Sequence, residues 1–193
     1  MLKILIAFKA EAIPLIEFFD LRRSKEQNLY PVYENDQVRL IIGGQGAHNA
    51  FNATNVLTGD AGVDDHWLNF GVAGSGGFSI GDFIIARQIM DRTSGDIWNL
   101  SSVKDIGLQT VAICCVDEMQ RIYHDNVVYE MESAGFLRCL NSKNLSSKAV
   151  CLKLISDGPN NVNMVTLETI KQLIKDRSSE LTNIVHRLFL KRM

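Results

Sequence analysis

The chain opens on an apolar run, Leu2–Phe8, broken only by Lys3, and residues 10–19 then place Ile13, Leu15, Ile16 and Phe19 at helical spacing. This pattern predicts a strand followed by a helix, with Pro14 in the helix's first turn, where its missing N–H has no intrahelical partner to lose. Leu29–Tyr33 and Val38–Ile42, parted by Glu-Asn-Asp-Gln, read as a hairpin that ends at Gly43-Gly44-Gln45-Gly46, and Ala47–Leu57 reads as a helix. His66–Phe70 is strand-like and leads into a glycine-rich stretch, Gly71–Gly77. Asp82–Met90 is another strand, and residues 91–107 form an irregular polar excursion. Val111–Val116 and Val127–Tyr129 are further strands, Ser133–Leu140 a helix, and Ala149–Ile155 a strongly apolar strand that the turn residues Ser156-Asp157-Gly158-Pro159 bring to an end. Two helices, roughly 163–175 and 177–190, close the pattern. Strands alternating with helices imply an α/β sheet covered on both faces, and the hairpin-like pairs make that sheet mixed. Neither a repeat nor a linker interrupts the 193 residues, a length that suits a single domain, 1–193.

A formal net charge of −2, with both signs interspersed, argues against nucleic acid or a membrane surface as partner and leaves a small molecule. The opening apolar run is too short to span a membrane and lacks a cleavage region, so a cytoplasmic location is expected. Cys114, Cys115, Cys139 and Cys151 lie in or beside apolar runs without Cys-x-x-Cys spacing, which suits buried reduced thiols. His48 and His124 sit in polar contexts that suit solvated or capping histidines. No His/Cys/Asp cluster has ligand spacing, so neither metal nor cofactor is expected.

In open α/β sheets, small ligands settle beyond the carboxyl ends of the strands, where loops converge and helix N-termini offer unpaired N–H groups. That rule singles out Glu11 after the first strand, Gly43–Gly46 after the hairpin, Gly71–Gly77, Glu130 and Glu132 after a late strand, and Asp157 after the last. Glu130 and Glu132, two apart, share a direction on an extended backbone while Met131 points the other way. Glycines at this edge let backbone approach a ligand closely. The glycine run matches neither G-x-G-x-x-G nor a phosphate-binding loop with Lys-Ser/Thr. Each residue also has an ordinary structural reading: Glu11 as an acid in a helix's first turn, Asp157 as a turn former, Lys153 as an edge residue, Glu130 as support.

The chain resembles the nucleoside phosphorylase and nucleosidase superfamily, especially the methylthioadenosine/S-adenosylhomocysteine nucleosidase branch. The resemblance spans most of the chain and rests on Ile6-Ala7-Phe8-Lys9-Ala10-Glu11, Gly43-Gly44-Gln45-Gly46-Ala47-His48-Asn49-Ala50, Asn69-Phe70-Gly71-Val72-Ala73-Gly74 and Gly81-Asp82-Phe83-Ile84-Ile85. Most specific are Glu130-Met131-Glu132-Ser133-Ala134 and Ile155-Ser156-Asp157. It implies a three-layer α/β/α domain with a central mixed sheet, a homodimer, and hydrolysis of the N-ribosidic bond of a 5′-modified adenosine-like nucleoside.

By that likeness Asp157 protonates the base at N7 with Ser156 orienting it, Glu132 holds the ribose hydroxyls, Met131 packs on the sugar and Glu11 handles the attacking water. Gly44, Ala73 and Gly74 complete the substrate contacts. Lys153 stands where such nucleosidases carry an arginine near the water, keeping the charge and losing the fork. Asn69 stands where phosphorylases carry an arginine, which favours water over phosphate as nucleophile, with Arg87 and Arg92 as the candidates for a phosphate-dependent alternative. A silent nucleoside-binding protein of the same fold is the other alternative. Residues 91–126 are shorter than in typical nucleosidases, leaving Phe78, Trp98 or Tyr123 to stack on the base, and Val72 replaces a small hydroxyl residue.

Overall fold

The computed structural model describes residues 1–26, 29–62, 64–100, 105–125 and 127–190. In chain order these form β1 (Leu2–Ile6), α1 (Lys9–Phe18), β2 (Arg22–Arg23), β3 (Val32–Glu34), β4 (Val38–Ile42), α2 (Ala47–Leu57), β5 (His66–Ser75) and β6 (Phe83–Asp91). There follow β7 (Ile97–Asn99), β8 (Gln109–Cys115), β9 (Val128–Glu130), α3 (Ser133–Ser142), β10 (Ala149–Asp157), α4 (Leu167–Asp176) and α5 (Ser178–Phe189).

β1 is buried along its whole length, and the alternation of its side chains feeds two separate cores. Leu2, Ile4 and Ile6 pack with Ala12 and Leu15 of α1, Ile174 of α4 and Leu181, Val185 and Leu188 of α5. Leu5 faces the other way, into Ala50, Ala53 and Leu57 of α2 and Phe136, Leu137 and Leu140 of α3. A strand apolar on both faces requires cover on both, and the result is a sheet between two helical layers.

β1 lies parallel between β4 and β5, and beyond β4 the sheet turns antiparallel through β3 and β2. On the other side β5 runs parallel to β10, β10 antiparallel to β6, and β6 and β8 parallel, as are β8 and β9. β9 then meets the end of β5 at Gly74 and Ser75, so these five strands curl into a closed ring. The sheet is thus mixed, and β1, β5, β9 and β10 deliver their carboxyl ends to the same region.

Several local expectations change. The strand expected to stop at Phe70 continues through the glycines to Ser75, because β10 and β9 take up its hydrogen bonds there. The polar excursion at 91–107 contains β7, paired with β6; residues 101–104 of that stretch lie outside the described ones. α1 begins at Lys9, so Pro14 falls in its second turn and cannot donate to the Ala10 carbonyl. The helix expected from 163 starts at Leu167, with Thr166 as its cap: the Thr166 hydroxyl accepts from Thr169 N at 3.2 Å. All four cysteines are buried free thiols. Among the described residues no helix is long and apolar enough to cross a membrane.

Candidate active site

Glu11, Met131, Glu132, Ser156 and Asp157 line one cavity of about 110 Å³ at the carboxyl edge of the sheet, floored by Ala73 and Gly74 of β5. Three acids, the first more than a hundred residues from the other two, are thereby brought together by β1, β9 and β10. Gly44 and Lys153 do not line it. Gly44, at φ +85°, turns the chain so that Gln45 reaches the cavity and Gly46 reaches Glu132.

Glu11 sits in the first turn of α1, where its Oε2 accepts from Phe8 N at 2.8 Å and thereby caps the helix. Its Oε1 accepts from Val72 N at 3.1 Å, tying α1 to the middle of β5. The group that caps the helix also faces the cavity. Burial lifts its carboxyl from an ordinary 4.5 to about 7, Glu132 adds to the rise, and the two backbone N–H bonds and Lys153 oppose it.

β9 ends at Glu130, and Glu132 already belongs to the turn that caps α3, with φ −115° and ψ −34°. The two carboxylates therefore do not share a direction, as an extended backbone would require. Glu132 lies on the cavity, and its Oε1 accepts from Gly46 N at 2.9 Å. Burial and then the Glu130 charge push its carboxyl above the ordinary range. Met131 reaches Gln45, whose Nε2 lies 3.0 Å from its sulfur.

Glu130 turns inward. Its carboxylate accepts from Glu132 N and Ser133 N, both at 3.0 Å, filling the N-terminus of α3. It is paired with Lys153 at 2.7 Å, and neither side chain is exposed to solvent. Burial alone would raise the Glu130 carboxyl, but the Lys153 ammonium together with the hydrogen bonds the carboxylate accepts outweighs this and holds the group below the ordinary range. Lys153 Nζ also donates to Asn69 Oδ1 at 2.7 Å. Lys153 is thus buried just behind the cavity wall, held by Glu130 and Asn69.

Asp157 ends β10 with both oxygens engaged. Ser156 Oγ donates to Oδ1 at 2.5 Å, and the Tyr123 hydroxyl donates to Oδ2 in a short contact. Burial and then this bond push the Tyr123 phenol well above its usual value, so it remains a donor. Gly74 makes the approach feasible, since a Cβ there would run into Asp157 Oδ2 and the Tyr123 ring.

Of the three aromatics considered for base stacking, only Tyr123 lines the cavity; Phe78 and Trp98 pack against the α2–α3 core. Arg87 and Arg92 are exposed on and just beyond β6 and do not line it either. Phe8, Tyr129 and Met119 also line the wall, none of them among the site residues expected from the sequence. The first two adjoin recognised acids, so proximity was a usable signal, whereas Met119 lies in a segment with no periodicity.

No family model matches the sequence, and no curated protein matches it either. Solved structures do match. The 5′-methylthioadenosine nucleosidase of Arabidopsis thaliana superposes with a TM-score of 0.83 at 16% identity, over 97% of this chain and 95% of that one. The 5′-methylthioadenosine/S-adenosylhomocysteine nucleosidase of Helicobacter pylori gives 0.77 at 18%, over 96% and 97%. A futalosine hydrolase mutant from Helicobacter pylori gives 0.76 at 16%, over 96% and 98%. In architecture, over nearly its whole length, this chain has the nucleoside phosphorylase-like α/β fold of those nucleosidases.

Proposed function

We propose that the protein is a purine-type nucleosidase that hydrolyses the N-ribosidic bond of a 5′-modified adenosine-like nucleoside. The observation that carries this reading is the meeting of Glu11, Glu132 and Asp157 around one cavity whose described lining contains no Lys or Arg. Breaking the bond between C1′ and the base nitrogen sends the electron pair to the base and leaves oxocarbenium character on the sugar. Asp157 supplies a proton to N7 of the departing base, with Ser156 holding its second oxygen in place. Glu132, anchored by Gly46 N, accepts from the ribose hydroxyls and sets a negative charge beside the cationic sugar. Met131 packs against the ribose. Water adds to C1′ and gives its proton to Glu11, whose carboxyl near 7 is poised between acid and base at neutrality.

The charge pattern supports hydrolysis over phosphorolysis. A phosphate dianion needs cationic donors, and Asn69, at the position expected of a phosphorylase arginine, is buried against Leu5 O and Lys153. Incubation with 5′-substituted adenosines and inosines, with and without phosphate, tests the reading. Free base and the 5-substituted free ribose at equal rates in both are expected. Ribose 1-phosphate, or a rate that needs phosphate, overturns hydrolysis, and thermal stabilisation by nucleosides without turnover overturns catalysis.

A further inference from the structure

We propose that Lys153 and Glu130 are positioning residues of this site, an ion pair at the cavity wall with both side chains sealed from solvent, whose balanced charge holds Glu11 and Glu132 in working order. The inference rests on the nucleosidase reading for its consequence, but its geometry stands apart from it. Lys153 Nζ meets Glu130 Oε2 at 2.7 Å with both side chains sealed from solvent. Glu130 in turn grips Glu132 N, so the backbone that presents the Glu132 carboxylate is pinned from behind.

Lys153 also reaches towards Glu11. It pairs with Gly71 across the β10–β5 register, and a Cβ on Gly71 would lie 3.4 Å from Glu11 Oε1 and 3.8 Å from Lys153 Nζ. Ammonium and carboxylate therefore share the bare face of that glycine. One cation thus lowers the proton affinity of three buried carboxylates: Glu11 on α1, Glu130 on β9 and Glu132 at the α3 cap. The other titratable groups near the cluster are Asp157 and Cys151 on β10, Cys115 on β8 and Tyr123. Burial raises both thiols, Cys151 to about 12, and burial with the Asp157 bond raises the phenol, so these three stay neutral at working pH.

Removing either partner must then act on Glu11 in opposite senses. Without the ammonium its carboxyl is left with two anionic neighbours and binds its proton more tightly. Without the Glu130 charge the ammonium is unshared and the proton is held less tightly. The test is an NMR titration of the full-length protein carrying ¹³C-labelled glutamate carboxyls, with Glu11 assigned through Glu11→Gln. In Lys153→Met the Glu11 midpoint is expected to rise by about one pH unit, a tenfold change in proton affinity, and in Glu130→Gln to fall by a similar amount. A merely structural role would disturb both in the same direction or in neither, and either result overturns the proposal.

Should a single variant fail to fold, Lys153→Arg and the double variant Glu130→Gln/Lys153→Met carry the test, since both leave the pair's net charge unchanged. Each is expected to titrate within about 0.3 pH units of the parent, a roughly twofold change in affinity, and a larger displacement overturns the idea. The midpoint needs no turnover. A parent protein inactive on every nucleoside therefore sinks the nucleosidase reading alone, while unmoved midpoints in an active enzyme sink this one alone.

Discussion

Glu11→Gln is expected to abolish activity and, above neutral pH, to stabilise the protein. In the folded state the Glu11 carboxyl lies at about 7 against an ordinary 4.5, chiefly through burial. Below pH 4.5 it is protonated in both folded and unfolded chains, and nothing is lost. As the pH climbs from 4.5 to 7 the unfolded chain ionises while the folded one holds its proton, so stability falls. Above 7 the full cost stands, about 3 kcal/mol at ~1.4 kcal/mol per pH unit. Glutamine fills the same space without charge but has only one acceptor oxygen, whereas Glu11 uses Oε2 for Phe8 N and Oε1 for Val72 N. One N–H is then left unsatisfied, at about 1 kcal/mol.

The balance favours the variant by about 2 kcal/mol at pH 8 and the parent by about 1 kcal/mol at pH 4. For a domain of this size that is about 4–8 °C of melting temperature gained at pH 8 and about 2–4 °C lost at pH 4, with a crossing between. Thermal melts of both proteins across pH 4 to 8, followed by circular dichroism, measure it directly. Parallel curves with no crossing would refute the reasoning, since they would mean that Glu11 ionises without opposition.

Asp157→Asn should lower kcat by about 10²–10⁴-fold, the range for losing a positioned acid, with little change in melting temperature; retention of more than a tenth of the rate would remove Asp157 from the chemistry. Tyr123→Phe should tighten nucleoside binding by about tenfold or more, because a hydrogen bond to a carboxylate is worth ~1.5–3 kcal/mol and Tyr123 holds Asp157 Oδ2 where a base would meet it. The cavity of about 110 Å³ is well below the roughly 300–1,000 Å³ of ligand sites, so this ring must yield; weaker binding by calorimetry would contradict that. Gly74→Ala places a methyl against Asp157 and Tyr123 and should cost about 1–3 kcal/mol in chemical denaturation together with most of the activity. Full activity at parental stability would show that the ring and carboxylate do not close over this glycine.

What was legible along the chain followed from local rules. β1 and β10 are continuous apolar runs because they are buried on both faces, and α2 runs from Ala47 to Leu57 as its spacing predicts. The elements missed had no local signal. β2 is two exposed arginines, and β5 persists through Gly71–Gly74 only because distant strands supply its hydrogen bonds. Strand ends located the acids, since loops beyond a sheet edge are where side chains converge. The direction in which each acid points depends on tertiary neighbours that no spacing records.

Lys153 shows how far a local signal reaches. The ordinary reading of Lys153 as an edge residue does not hold: it lies within β10 between β5 and β6, fully buried, and in so apolar a setting it needs a buried counter-charge. Glu130 supplies it at 2.7 Å from across the ring. The sequence offered two glutamates for that role, two residues apart, and extended geometry would have given both the same direction. The chain turns between them instead: Glu130 is the last residue of β9, and Glu132 caps α3. That turn gives the Glu130 carboxylate to the lysine and the helix N-terminus and leaves the Glu132 carboxylate to Gly46 and the cavity, which both residues line. Two like charges so close could not both serve the substrate without raising each other's proton affinity. With one of them neutralised by Lys153, the other is left to face Glu11 across the cavity.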